Sequence, residues 1–519
     1  MSGRPGVARA AAVLVALTAV SQLLGFVRDA VIAALFGAGA ALDAYLVAQS
    51  VMNLVLALVA GAMARAIVPP VSRAAAVDDG LRANRTVQTA LTFTVLVLVG
   101  GSMLMFVAAD LVVATLAPGF DPATSTLAVE LTRIVLVATV FIAATDILAA
   151  AAQAHGRFFH SGLQGIPFNL VMIGAAVGFG ASLGIHALAM GFVVGSAVRL
   201  LVQLPAVRAA RLRLRPRLDL RDSDFLEVRR LAPPILLSSA VVNVNTLVDR
   251  AVGSAQGEGT IAALSFGWRI VTLVDTMLVV SVAAALYPAF SALGAPDRRD
   301  HLRALVDRSL GVMLVILAPV VALLTVAAEP IVTLIFGRGD FDATAIRMTS
   351  IAVVGYAAGA VGLGVRVIAS RACFAVGDSR SPVVIAIISM VVNVVGDLTL
   401  GVAYGIPGLA ASTSASLALG AAMLVFMLGR RHQGVSLRVI MAATLRVGAA
   451  ALIAGVVCVA FGLGAGQAGA DTTAVIGRLA LTGAVILSVY VAVLVALRSP
   501  ELRDLVFVVR DRFLPGRDR

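Results

Sequence analysis

Apolar runs of roughly 20 to 30 residues follow one another along nearly the whole chain, separated by short polar segments. About 20 residues of helix, rising 1.5 Å each, cross the ~30 Å hydrocarbon core of a bilayer. The pattern predicts fourteen spanning helices, at 9–35, 41–69, 86–116, 126–152, 162–181, 185–207, 231–252, 260–289, 304–327, 345–374, 382–402, 406–429, 439–463 and 476–497. The runs are continuous rather than alternating, which excludes a transmembrane β-barrel. Arg4 and Arg9 precede the first run, but no small-residue cleavage site follows it and it continues into Arg28. It reads as a retained span, not a signal peptide.

Composition sharpens this into an all-α polytopic membrane protein. Of 519 residues, 60% are hydrophobic and 13% charged, with a mean hydropathy of +1.02. Soluble domains carry about 25% charged residues. The net charge of +12 does not point to nucleic acid, because the cations sit mostly in loops. Topology and anionic lipid headgroups explain them better. Arginine-rich loops (70–85, 153–161, 208–230, 290–303, 375–381, 430–438 and both termini) alternate with loops nearly free of cations (36–40, 118–125, 182–184, 253–259, 403–405). Arg338 and Arg478 are the exceptions. Strict alternation puts both termini in the cytoplasm. Cys373 and Cys458 both lie in apolar helices, and the five histidines show no metal-ligand spacing.

An internal repeat organises the spans. "VRDAV" at 27–31 aligns with "VDRAV" at 248–252, Tyr45 with Phe266, "FDPAT" at 120–124 with "FDATA" at 341–345, and "AHG" at 154–156 with "AVG" at 375–377, all at one offset of 221 residues. Two parallel six-span halves result, related by an axis along the membrane normal, as in one class of secondary transporters. The expected domains are an N-terminal six-helix lobe (1–207), a basic cytoplasmic linker (208–230), a C-terminal six-helix lobe (231–430), two additional spans (431–497) and a cytoplasmic tail (498–519). Pseudo-symmetry would direct both lobes' charge pairs, Arg28–Asp29 and Asp249–Arg250, toward a central cavity.

A charge within a span costs several kcal/mol unless it meets water or a partner. The predicted spans contain Arg28, Asp29, Asp43, Arg65, Glu130, Arg133, Asp146, Arg199, Asp249, Arg250, Arg269, Asp275, Arg366 and Asp397. Arg65, Glu130, Arg133, Arg199 and Arg366 read as helix-end groups that snorkel to the interface. Arg28 and Asp29 are adjacent, point about 100° apart and are not expected to pair well with each other. Ser21 shares a face with Arg28, and Arg269, Thr272 and Thr276 form a stripe beside Asp275. Two readings stand: interhelical ion pairs that only fix packing, or a hydrated arginine-lined cavity for an anionic headgroup. The guanidinium fork suits phosphate, to which it donates two parallel hydrogen bonds. Asn393 and Asp397 stack one turn apart, with hydroxyls at 412–416 nearby. Their hard oxygens suit a small cation such as sodium, or they join two helices by hydrogen bonds. The chain shows no phosphate-cradling glycine loop and no catalytic constellation, so it does not read as an enzyme, and an ion gradient or membrane potential would drive any transport.

The segment "SQLLGFVRDAVIAALFGAGAALDAYLVAQSVMNL" resembles the MurJ/MviN family of lipid II flippases, within the multidrug/oligosaccharidyl-lipid/polysaccharide exporter superfamily. So do "VPPVS" at 68–72, "LAPGF" at 116–120, "LIFGRGDFDATA" at 334–345 and "RVIASRACFAVGDSRSPVVIAIISMVVNVVGDL" at 366–398. The resemblance covers the twelve core spans. It implies two lobes around a V-shaped cavity in the bacterial cytoplasmic (inner) membrane. Undecaprenyl-diphosphate-linked peptidoglycan precursor would cross there by alternating access. It further implies that Arg28 and Arg269 meet the diphosphate, with Asp29 and Asp43 at matching family positions; Ser21, Asn53 and Arg250 are further candidates for the same cavity. A sodium site at Asp249, Asn393, Asp397 and Thr413 is implied too, with no other cofactor. The expected partners are the lipid-linked precursor, membrane lipids and cell-wall synthesis proteins, around a monomer. Several family charges are absent: Gln22 replaces an arginine, Val55, Leu56 and Ala57 stand where a basic pair belongs, a glutamate is missing at Gly61–Ala62, and Trp268 replaces an aspartate. These losses keep three rivals open: an exporter of another polyprenyl-linked glycan, an exporter of an amphipathic drug, and a non-transporting cell-wall scaffold. A membrane glycan transferase would need a large catalytic loop, and the chain has none longer than a couple of dozen residues.

Overall fold

A computed structural model describes residues 4–513 apart from 58, 78, 281–285, 287, 288, 291, 294–297 and 465–471. Every regular element among the described residues is helical. In lipid, a helix satisfies its own backbone groups, so this is the expected response to the apolar runs. Among the described residues, twelve helices are long and apolar enough to cross a membrane. A thirteenth is made by Pro122–Val135 and Ala138–Ala154 taken together, two helices bent by 40°. The fourteen spans expected from sequence are thus an approximate count, and the end of the predicted span 260–289 lies outside the described residues.

The helices form two compact units, Met1–Ala262 with Arg338–Phe341, and Ala263–Gly337 with Asp342–Arg519. Unit 1 contains α1 (Arg4–Phe36), α2 (Ala40–Ala57), α3 (Ala60–Ala66), α4 (Val68–Ala76), α5 (Gly80–Val107), α6 (Ala109–Leu116), α7 (Pro122–Val135), α8 (Ala138–Ala154), α9 (Phe159–Leu163), α10 (Gly165–Leu183), α11 (Ile185–Ala209) and α12 (Ser223–Ser254). α12, which the repeat places at the start of the second lobe, packs in unit 1 against α2 and α3. Prolines mark two helix starts near the ends of predicted spans. Pro69 and Pro70 open α4, and Pro122 opens α7 behind the Asp121 cap, whose carboxylate accepts from the Thr124 N–H.

The basic linker is a strap along α5. Asn84 accepts from the Arg213 N–H at 2.6 Å, Gln88 donates to the Arg213 carbonyl at 2.5 Å, and Thr92 accepts from the Arg217 N–H at 3.1 Å. These three side chains recur every fourth residue and so share one helix face. Leu212 is buried beneath the strap, and Arg211, Arg213, Arg215 and Arg217 are exposed.

Three loops that the charge pattern places outside the cytoplasm interlock in unit 1. The Asp340 N–H donates to the Ala34 carbonyl at 2.9 Å, and the Ala40 N–H donates to Glu258 at 3.1 Å. Gly259 (φ +79°) and Gly339 (φ +59°) occupy the left-handed region, and a Cβ there would lie 2.1 Å from the Ala38 carbonyl oxygen and 2.0 Å from the Ala34 carbonyl oxygen. Only glycine fits both the dihedral and the approach. Gly259→Ala is expected to destabilise the fold by about 2 kcal/mol or more, read as a lower unfolding midpoint in detergent. An unchanged midpoint would show that these loops do not pack as described.

Unit 2 contains α13, which starts at Thr260 in unit 1 and runs to Asp275, followed by a π-helical turn at Thr276–Val280. Then come α14 (Arg299–Val326), α15 (Ala328–Phe336), α16 (Ala343–Ala375), α17 (Arg380–Gly396), a second π-helical turn at Asp397–Gly401, α18 (Ile406–His432), α19 (Leu437–Ala460), α20 (Thr472–Ala496) and α21 (Pro500–Phe513). Among helices in lipid, close packing rather than water exclusion drives association, and small residues permit it. α16 meets α18 through such a stripe: a Cβ on Gly355 would lie 2.5 Å from Ala410 Cβ, and one on Gly359 2.8 Å from Ser414 Oγ. Cys373 and Cys458 are buried and free. In the loop between α16 and α17, burial pushes the Asp378 carboxyl up. Hydrogen bonds from the Ser381 hydroxyl and N–H and from His432 outweigh it and hold the group at about 2.

Candidate functional site

Arg28 and Asp29 lie in the second half of α1, with side chains 22% and 15% exposed. They do pair, contrary to the expectation from their divergent Cα–Cβ directions. Arg28 Nε and Nη2 both donate to Asp29 Oδ1, at 3.0 and 2.7 Å. The arginine stem is long enough to swing the guanidinium back over its neighbour. The third arm, Nη1, donates to Asn169 Oδ1 at 3.0 Å, and Asn169 Nδ2 donates to the Ser21 carbonyl at 3.1 Å. One asparagine on α10 thus ties two points of α1 seven residues apart. Ser21 contributes its backbone oxygen, and its hydroxyl sits where a Cβ on Gly165 would fall at 1.9 Å.

The ring of Phe168 carries this cluster further. Arg28 Cζ lies 5.9 Å from its centroid, and Arg199 Cζ, on α11, lies 5.6 Å from it. Arg199 faces Asp146 of α8 at 3.7 Å. Arg199 therefore does not snorkel from a helix end; it sits well inside α11 beside the site. Four helices of unit 1 supply two arginines, two carboxylates, an amide and an aromatic ring to one place. Such a cluster can hold a multiply charged anion, because a guanidinium donates in a planar fork that matches phosphate oxygens.

Asp43 and Arg250 are put to a different use. Asp43 is 2% exposed and accepts from the N–H groups of Gly259 at 2.8 Å and Ala262 at 2.7 Å. It caps the first turn of α13, where the helix dipole favours a negative charge. Arg250 Nη1 donates to the Ile261 carbonyl of the same turn at 3.2 Å. Both residues thereby fasten the interlocked loops. Asn53 is exposed on α2, and Arg65 bonds the Gly61 carbonyl of its own helix at 3.0 Å.

In unit 2, Arg269 is half-buried on α13. Trp268 beside it packs edge-on against Tyr356, with ring centroids 5.2 Å apart. Asn393 of α17 and Asp397, at the start of the following turn, share one hydrogen-bonded cluster with hydroxyls of α18. Asn393 Nδ2 donates to Asp397 Oδ1 at 3.2 Å, to Ser412 Oγ at 3.2 Å and to Thr413 Oγ1 at 3.4 Å. The Ser412 hydroxyl also donates to Asp397. Asp397 is fully buried and starts the π-helical turn, a distortion frequent at functional sites. A carboxylate, an amide, two hydroxyls and the Leu409 carbonyl gather hard oxygens in one buried place, which fits a small cation. Asp249, the fourth expected ligand, is half-buried on α12 in unit 1, whereas the other three belong to unit 2.

Five participants are not evident from the sequence alone. Phe168 and Asn169 are ordinary residues for an apolar helix. Arg199 and Asp146 were visible as intramembrane charges, but nothing in the sequence pairs them. Ser412 lay in the hydroxyl run but had no assigned role.

Comparison with known proteins then bears on what the cluster serves. The family model for lipid II flippase MurJ matches residues 32–473. The probable lipid II flippase MurJ of Vibrio cholerae is 28% identical over 421 residues, covering 79% of this chain and 80% of the relative. The lipid II flippase MurJ of Burkholderia cenocepacia is 27% identical over 431 residues, covering 80% and 82%. The probable lipid II flippase MurJ of Rhizobium meliloti is 30% identical over 442 residues, covering 80% and 79%. Among solved structures, a lipid II flippase MurJ in an inward closed conformation superposes with a TM-score of 0.78 at 22% identity, covering 95% of this chain and 99% of that one. An inward-facing multidrug resistance MATE family transporter superposes with a TM-score of 0.67 at 16% identity, covering 84% and 99%. The match across residues 32–473, together with relatives aligned over four-fifths of their length, establishes that this chain belongs to the lipid II flippase MurJ family.

Proposed function

We propose that the protein is a flippase that carries lipid II, a polyprenyl-diphosphate-linked peptidoglycan precursor, from the inner to the outer leaflet of the bacterial cytoplasmic membrane. The observation that carries this reading is Arg28: a guanidinium inside a membrane-spanning helix, aimed by Asp29 and Asn169, where a diphosphate would be an apt ligand. Arg28 holds the diphosphate. The interlocked loops capped by Asp43 and Arg250 close the route outward and must part to release the lipid, which is alternating access. Both termini lie in the cytoplasm, on the side of the basic strap.

Asn393, Asp397 and Thr413 would hold a sodium ion. The ion supplies positive charge that offsets the Asp397 carboxylate and favours one arrangement of the helices over the other. The rival reading, export of a different polyprenyl-linked glycan, has one observation in its favour: the aromatic contact of Trp268 with Tyr356 in place of a cavity acid. Depletion of the protein in its own host separates the two. Lipid II is expected to accumulate on the inner leaflet, with growth ending in lysis. Normal lipid II turnover during depletion would point to the other glycan.

A further inference from the structure

We infer that Arg199 and Asp146 form a second phosphate-binding element beside Arg28, in which Asp146 holds the Arg199 guanidinium until an anionic phosphate takes its place. The inference deepens the proposed function and rests on it for the identity of the lipid. Arg199 and Asp146 lie in the interior of α11 and α8, and their closest approach is 3.7 Å, too long for a hydrogen bond. Neither side chain makes a hydrogen bond to any described residue, and Arg199 Nε is buried without an acceptor. A guanidinium carries five N–H donors, and leaving them unfilled away from water is costly. The side chain is nonetheless held in place, by the ring of Phe168 on one side and the charge of Asp146 on another.

The shared ring points to the ligand. Phe168 also carries Arg28, and the next residue, Asn169, positions Arg28 directly. Both guanidiniums lie over one ring, at 5.9 and 5.6 Å from its centroid; Arg28 makes three hydrogen bonds, to Asp29 and Asn169, and Arg199 makes none to a described residue. A ligand with two adjacent phosphates gives each arginine one phosphate to grip. A single carboxylate at 3.7 Å does not satisfy the fork, whereas phosphate, with three accepting oxygens, does. An incoming phosphate is repelled by Asp146 as it is drawn by Arg199. Neutralising the carboxylate therefore strengthens binding, while removing the cation weakens it. A pair that merely fixed helix packing would show no such opposition of sign.

The test uses the purified full-length protein in lipid nanodiscs, with undecaprenyl diphosphate, undecaprenyl monophosphate and lipid II as probes. Arg199→Gln is expected to weaken undecaprenyl diphosphate binding by about tenfold or more, with little change for the monophosphate, which Arg28 grips alone. Asp146→Asn is expected to tighten diphosphate binding several-fold. Arg199→Lys, which keeps the charge without the fork, should fall between and guards against a folding defect in Arg199→Gln. Wild-type diphosphate affinity in either Arg199 variant, or weakened binding in Asp146→Asn, overturns the inference. Wild-type protein that binds undecaprenyl diphosphate but not lipid II overturns the proposed substrate instead, and leaves the assignment of Arg199 to be judged on the diphosphate alone.

Discussion

Arg28→Ala is expected to lower lipid II translocation by on the order of 100-fold. A hydrogen bond to a charged group contributes roughly 1.5–3 kcal/mol, and two to one phosphate bring the loss into that range. The substitution also removes the two hydrogen bonds that Arg28 donates to Asp29 Oδ1 inside a membrane-spanning helix, two of the three that Arg28 makes. Arg28→Lys separates the two effects: it keeps a cation beside Asp29 but loses the planar fork and the reach to Asn169. About a tenfold loss is expected for lysine, with normal expression. Translocation at the wild-type rate in Arg28→Ala, at equal protein levels, would remove Arg28 from the substrate path.

Asp397→Asn is expected to abolish any dependence of transport on sodium. The substitution preserves the shape of the side chain but removes the formal charge in a fully buried cluster of oxygens. Wild-type transport should fall several-fold when choline replaces sodium, whereas the variant should run at one rate in both. A second readout does not depend on transport. Sodium should raise the unfolding midpoint of the wild-type protein, because a ligand that binds only the folded state stabilises it, and should leave the variant unmoved. A variant stabilised by sodium as much as the wild type would place the cation elsewhere. Asp397→Ala is expected to be harsher, since it removes the hydrogen bonds from the Asn393 amide and the Ser412 hydroxyl and leaves a void in a buried cluster.

The helices were legible because their length and apolarity are set by the bilayer, and each run announces itself. The breaks inside them were not. Nothing in the apolar pattern marks the bend between Val135 and Ala138, where the chain stays hydrophobic while changing direction. Among the site residues, Arg28, Asp29 and Asp397 could be found because a charge in an apolar run is conspicuous. Their geometry could not. The Arg28–Asp29 pair depends on side-chain reach rather than on helix phase, and so escaped a reading based on the 100° step. Asp43 was visible as an acid opening a helix, but its partners are backbone N–H groups as many as 219 residues away, which no pattern of residue types records. Asn393 and Asp397 fared best, because a spacing of four within one helix fixes both the face and the contact.

Arg199 shows the limit from the other side. Snorkelling is the ordinary fate of an arginine near a span's end, and sequence alone put Arg199 there. The structure carries it inward to Asp146 and Phe168, and only then does an under-used guanidinium become evident.

The most direct measurement is translocation of fluorescent lipid II by the purified protein in proteoliposomes, followed as the label becomes accessible to a membrane-impermeant quencher from the opposite leaflet. The proposed function predicts transfer well above that of protein-free vesicles, lost in Arg28→Ala. Transfer no faster than in protein-free vesicles, by protein that remains folded, would contradict it.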